Sequence, residues 1–121
     1  MGRFIPPDHT KGDEATLGGY AAVHGRPPAF EGSDRISYSV ELVVDETGDA
    51  AALVGGYLLF VRWRPGQPAI AGHIETDFLV TGASEDEVRG ALGAMALTEV
   101  KRLLDEEIAR RGQAGWGAPE K

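Results

Sequence analysis

The sequence contains no cysteine, which excludes disulfides, thiolate zinc sites and cysteine nucleophiles. It is short of positive charge: 12 Lys and Arg stand against 19 Asp and Glu, for a net charge of −7. Nucleic acid and anionic membranes are bound through clustered Lys and Arg that displace counterions. No such cluster stands out, so neither partner is expected. Aromatic residues make up 7% of the chain and have few basic neighbours, so there is no stacking platform for single strands. Long apolar runs are missing as well. The longest uncharged stretch, residues 50–61, falls far below the roughly 20 residues that cross a bilayer. The first residues, Met1-Gly2-Arg3-Phe4-Ile5-Pro6-Pro7, hold no apolar signal-peptide core, and Pro6 stands where a myristoylation signal needs Ser or Thr. A cytoplasmic location is the expectation. Catalytic signatures are absent too: there is no Gly-x-Ser-x-Gly elbow, no Gly-x-x-x-x-Gly-Lys phosphate loop and no His-Glu-x-x-His pair. No cofactor is implied.

What is present is an ordinary globular composition, 42% hydrophobic and 26% charged. At 121 residues the chain is long enough for one domain with a real core and too short for two comfortable ones. The expected organisation is a flexible N-terminal arm over residues 1–16, a single α+β domain over 17–111 and a flexible C-terminal tail over 112–121. The arm carries His9 beside Asp8, and the tail carries Trp116. Residues 17–24 read as a short strand, ended by Gly25-Arg26-Pro27-Pro28 because proline cannot donate to a ladder. Residues 29–35 read as a loop, with Phe30 plugging the core and Gly32-Ser33-Asp34 turning the chain.

Three stronger strands follow. Residues 36–42 alternate apolar and polar, which marks one buried and one wetter face. Residues 56–64 are the most apolar and read as central. Pro65-Gly66 suits the middle of a type II turn, with Gly66 at positive φ. The last strand, residues 70–80, places Ile70, Gly72, Ile74, Thr76, Phe78 and Val80 on one side and Ala71, His73, Glu75, Asp77 and Leu79 on the other. A faint echo relates Gly18-Gly19-Tyr20 to Gly55-Gly56-Tyr57, and a true duplication would make the sheet two related hairpins. The predicted fold is α+β: a four-stranded antiparallel sheet in β-β-β-β-α order with one long C-terminal helix packed on one face.

That helix is predicted over residues 84–111. Ser84-Glu85-Asp86-Glu87 is a capping box, with Glu87 reaching back to the N-cap amide. Arg110-Arg111 complement the dipole at the far end, and Gly112 stops the helix. Its apolar positions cover more than half its circumference, where a surface helix needs a stripe of only about 100° or somewhat wider. It would also be about 40 Å long against a sheet about 15–19 Å across. Overhang and excess apolar arc together point to a homodimer. The interface candidates are Gly90, Gly93, Ala94, Leu97, Leu104 and Ile108.

The sharpest chemical constellation lies on the polar side of the sheet. His73, Glu75 and Asp77 alternate along one strand, so they share a face. If Tyr57, Leu59, Val61 and Trp63 face the helix, then Leu58, Phe60, Arg62 and Arg64 share the other side with Glu41, Glu75 and Asp77. Arg62, Arg64, His73, Glu75, Asp77 and Glu41 are therefore the ligand-binding candidates, for a small polar or anionic molecule. His73 and Glu75 form a weak metal-site candidate, lacking further ligands. Leu58 and Phe60 inside a charged rim make the same face a second candidate interface. The reading is a small soluble binding or interaction domain acting as a homodimer, more a binder than an enzyme. The alternative is a small metabolite-binding protein or enzyme using this polar face.

Overall fold

Thr16 and Gly25 bracket the first element. Thr16 Oγ1 accepts the Gly19 N–H at 3.1 Å, and Gly25, at φ 69°, donates its own N–H back to the Ala21 carbonyl at 2.8 Å. The eight residues between these caps form a helix, α1 (Leu17–His24). The strand expected here is not formed, and the reason is tertiary. Gly18 and Gly19 make the segment a poor helix in isolation, but each lets backbone touch backbone. A Cβ on Gly18 would lie 3.1 Å from the Gly93 Cα, and one on Gly19 would lie 1.9 Å from the Asp13 carbonyl oxygen. The duplication falls with the strand, because Gly18-Gly19-Tyr20 is helical and Gly55-Gly56-Tyr57 is extended.

The structure is a computed structural model that describes residues 10, 12–67 and 69–114. His9, most of the expected arm and the stretch holding Trp116 lie outside the described residues. The arm's last residues are held in place: the Ala15 N–H donates to Asp13 Oδ1 at 3.0 Å, and Thr16 Oγ1 donates to the Asp13 carbonyl at 2.8 Å.

Five antiparallel strands follow α1: β1 (Ala29–Glu31), β2 (Ser37–Glu46), β3 (Val54–Trp63), β4 (Ile70–Glu75) and β5 (Val80–Gly82). Their order is β1-β2-β3-β4, with β5 beside the first residues of β3. The α+β class, the antiparallel sheet and a long C-terminal helix are thus present, with five strands in place of four. Phe30 packs against the core from within β1, not from a loop. Gly66 takes φ 71°, and Gln67 donates back to the Arg64 carbonyl at 3.2 Å, closing the expected Pro65-Gly66 turn.

The single strand expected over residues 70–80 is two strands because Thr76 intrudes. Its Oγ1 accepts the Leu58 N–H at 3.1 Å and donates to the Asp77 carbonyl at 2.8 Å. A side chain has replaced a rung of the ladder, so Asp77 and Phe78 loop out. Pairing resumes where the Leu79 N–H meets the Gly56 carbonyl at 2.8 Å.

The predicted 84–111 helix is also two elements, α2 (Glu85–Gly93) and α3 (Leu97–Ala114). Ser84 caps α2 as expected, accepting the Glu87 N–H at 3.2 Å, but Glu87 reaches back to the Ala83 N–H and not to that of Ser84. The break falls where the entry to α1 meets the chain. The Leu17 N–H donates to the Met95 carbonyl at 2.9 Å, and the Leu97 N–H donates to the Ala15 carbonyl at 2.8 Å. Two backbone groups that a continuous helix would have bonded internally are satisfied by another segment. At the far end α3 runs through Gly112 to Ala114, so the expected stop does not operate.

Both C-terminal helices cover one face of the sheet. Val88 and Leu92 from α2, and Val100, Leu104 and Ile108 from α3, pack with Leu17, Tyr38, Val40, Leu58, Phe60 and Ile74. The spacing in α3 is i, i+4, i+8, a single stripe, and burial of each such side chain stabilises by about 1.5–3 kcal/mol. Splitting the helix gives each half its own stripe, so the wide apolar arc is accounted for within one chain.

Two glycines test this packing in opposite directions. A Cβ on Gly56 would lie 2.5 Å from Leu92 Cδ1 and 2.5 Å from Val88 Cγ1, whereas a Cβ on Gly90 would meet nothing within 4 Å. Gly56→Ala is expected to lower stability by about 1–3 kcal/mol, and Gly90→Ala to raise it by about 0.5–1 kcal/mol. Urea denaturation midpoints check both.

Candidate functional site

The alternation of β2 decides which side of the sheet is which. Tyr38 and Val40 are buried under the helices, so Ser39 and Glu41 point the other way. Carried across the register, Phe60 pairs with Val40 and Ile74 pairs with Phe60 on the covered side. The uncovered side of β3 then consists of Tyr57, Leu59, Val61 and Trp63, all partly exposed. An antiparallel sheet with one wet face normally alternates apolar with polar. Here the central strand is apolar on both faces.

The register assembles the flanks of this strip row by row. Glu41, Leu59 and Glu75 lie side by side, then Ser39, Val61 and His73, then Trp63 with Ile70. Ile70 is 59% exposed. Trp63 Nε1 donates to Ser39 Oγ at 3.1 Å, which holds the indole across the strands. At the opposite end the Phe78 ring lies over Gly55, where a Cβ would collide with it at 2.6 Å, and meets Tyr57 edge-on with centroids 6.0 Å apart. Asp45, Tyr57, Glu75 and Asp77 help line a hollow of about 310 Å³ there. The Tyr57 hydroxyl is pushed up from the usual phenol range by loss of solvent, then by the negative charges of Glu75 and Asp45.

The six ligand-binding candidates divide. Glu41, His73 and Glu75 share the open face, and His73 Nε2 approaches Glu75 Oε2 at 4.0 Å with both side chains at least half exposed. Arg62 is on the covered side, because it has the parity of Leu58 and Phe60, both fully buried. Its Nε donates to the Tyr38 hydroxyl at 3.1 Å and lies 3.7 Å from Asp34 Oδ2, to which that hydroxyl donates at 2.7 Å. Arg64 follows the end of β3, and Asp77 sits exposed in the β4–β5 connection. The condition that Tyr57, Leu59, Val61 and Trp63 face the helix does not hold: Leu58 and Phe60 are buried under the helices, and the apolar patch of the open face is carried by those four residues. The signal that locates them is the β2 alternation propagated through the hairpin. β3 alone, apolar on both faces, cannot supply it. Among the described residues no three His, Asp or Glu side chains converge as a metal site.

The helical interface candidates do not form one surface. Leu104 and Ile108 are in the core, Gly93 packs on Gly18, and Leu97 packs against the core while partly exposed. Gly90 and Ala94 are exposed. The outer side of α3 carries ion pairs at helical spacing, Lys101 with Asp105 and Arg102 with both Glu99 and Glu106. That is a solvated face. The Arg102 hydrogen bond is also what holds the Glu99 carboxyl below its usual range. His24 is likewise engaged, with Nε2 2.8 Å from Glu14 Oε1 and its ring centroid 4.2 Å from that of Tyr20.

No family model, no curated protein and no solved structure matches this chain. Function is therefore read from the geometry alone.

Tyr38 yields a pH prediction. Burial first, and then its hydrogen bond to the Asp34 carboxylate, hold its phenol well above the usual range, with Arg62 acting in the opposite direction. The folded state thus keeps a proton that the unfolded chain releases near pH 10. Its contribution to stability is full below that pH and is lost as pH rises above it. Urea denaturation at a series of pH values should show this alkaline slope, and Tyr38→Phe should flatten it while costing about 1–2 kcal/mol at neutral pH.

Proposed function

We propose that this chain is a binding domain that pairs with a second copy of itself, sheet against sheet, through the open face. One observation carries the reading: Tyr57, Leu59, Val61 and Trp63 form an unbroken apolar row on a face that, among the described residues, no helix covers. Exposed apolar surface of this kind, rimmed by charge, favours association.

Charge complementarity favours a second copy as the occupant. A two-fold axis lying across the strands, between the Leu59 and Val61 rows, sets Leu59 of one copy on Val61 of the other and Tyr57 on Trp63. The same operation sets Glu75 on His73 and Glu41 on Ser39, so the acidic row meets the row without acids. An isologous contact of this type satisfies both copies at once. Two sheets packed this way sit about 10 Å apart. The face covered by β2, β3 and β4 spans about 30 by 14 Å at ordinary strand spacings, which belongs to small, exchanging interfaces. Catalysis has less support, because the nearest acid–base pairing on this face, His73 with Glu75, is 62% and 50% exposed and stands in no enclosed site.

Sedimentation velocity over a micromolar concentration series is expected to show a monomer–dimer equilibrium. Leu59→Glu should abolish it with the fold retained, and His73→Glu should weaken it by placing acid on acid. A wild-type chain that stays monomeric throughout the series would overturn the reading.

A further inference from the structure

β2 runs for ten residues, but β1 pairs with only Ser37, Tyr38 and Ser39. The Val40 N–H still reaches the Pro28 carbonyl at 3.1 Å. The cover ends there, because Pro27 and Pro28 have no N–H with which to extend a ladder. Since Val40 directs its N–H outward, the alternation of an antiparallel pair turns Leu42, Val44 and Glu46 outward too. The Glu46 N–H is closed off by Asp45 Oδ1 at 2.8 Å. Among the described residues nothing closes off Leu42 or Val44. The Val40 carbonyl joins them, since the residue opposite it is a proline. An open row of main-chain donors and acceptors therefore runs along the outer edge of β2.

Beside this row lies a groove of about 550 Å³ between α1 and β2, lined mostly by apolar residues such as Leu17, Ala21, Pro28, Val40 and Leu42, with Arg26 and Glu41 also in its lining. From Ile36 to Val61 the chain holds Glu41, Asp45, Glu46 and Asp49 and no Lys or Arg. The two sides of the edge differ accordingly. Side chains of an added strand would alternate between the apolar groove on the helix side and the acids Glu41 and Asp45 on the open side.

We infer that the outer edge of β2, from Val40 to Val44, docks an extended peptide in which apolar residues alternate with Lys or Arg. Main-chain bonds to Leu42 and Val44 supply affinity, the groove takes the apolar side chains, and Glu41 and Asp45 take the basic ones. A second copy of the same edge fits less well. Antiparallel pairing centred on Val43 sets Glu41 directly opposite Asp45, and like charges in that position destabilise. The inference does not depend on the pairing of sheets: its main-chain bonds and groove lie at the edge, and only Glu41 belongs to both surfaces.

The test uses a fluorescein-labelled nine-residue peptide of alternating Val and Lys, followed by anisotropy and by amide hydrogen exchange of the intact protein. Saturable binding is expected, with the Leu42 and Val44 amides slowing at least tenfold and the same peptide with Glu in place of Lys failing to bind. Val44→Pro is compatible with an edge position whose N–H faces outward and should weaken binding at least tenfold. Ala21→Trp, which fills the groove, should do the same and carries the test if the proline variant does not fold. Three results would each overturn the inference: no saturable binding; binding that leaves those two amides exchanging freely; or protection of those amides in the free protein that grows with concentration, which would assign the edge to a second copy.

Discussion

Two backbone hydrogen bonds organise this structure, Leu17 N–H to the Met95 carbonyl and Leu97 N–H to the Ala15 carbonyl. They join the segment entering α1 to a point in the middle of what local propensity would make one helix. A continuous helix would satisfy Met95 and Leu97 internally, so the cross-contact replaces like with like and costs little enthalpy. In exchange it fixes the position of α1 and the angle between α2 and α3. Gly18 then lies so close to Gly93 that a Cβ on it would stand 3.1 Å from the Gly93 Cα, a tight contact.

The same economy of space recurs in β3. Gly55 leaves room for the Phe78 ring on the open face, and Gly56 leaves room for Val88 and Leu92 on the covered one. Adjacent residues in a strand point to opposite faces, so a glycine pair thins the sheet on both sides at one place. The covered side of the sheet is thereby closed by two helices. Among the described residues, no helix covers the apolar row on the open side. Inside the covered layer the charged and polar groups satisfy one another: Asp34, Tyr38 and Arg62 form a short network, and among the described residues no buried side-chain nitrogen or oxygen lacks a partner.

Both surfaces proposed for binding follow from what α1 and its loop leave uncovered. α1 packs against α2 and not across the open face. The two prolines that lead into β1 end its pairing early, which exposes half of the β2 edge. One arrangement thus produces an uncovered face and an uncovered edge with different chemistry, the first apolar with a mixed rim and the second acidic beside an apolar groove.

Taken alone, the residues determined the α+β class, the alternation of β2, the Pro65-Gly66 turn and the Ser84 cap, because each depends on contacts within a few positions of chain. The candidate site was legible only in part. His73 and Glu75 share a face as their spacing requires, and the strand register brings Glu41 beside them, but Arg62 does not join them, because β3 is apolar on both sides and only its partner strand says which side is inward. Tertiary structure alone decided the rest. It made a helix of the glycine-rich segment at residues 17–24, since the benefit of close backbone approach lies in Asp13 and Gly93 and not in the segment itself. It divided the C-terminal helix for the same reason, as the groups that satisfy the break come from residues roughly 80 positions away in sequence, a separation that local periodicity cannot report.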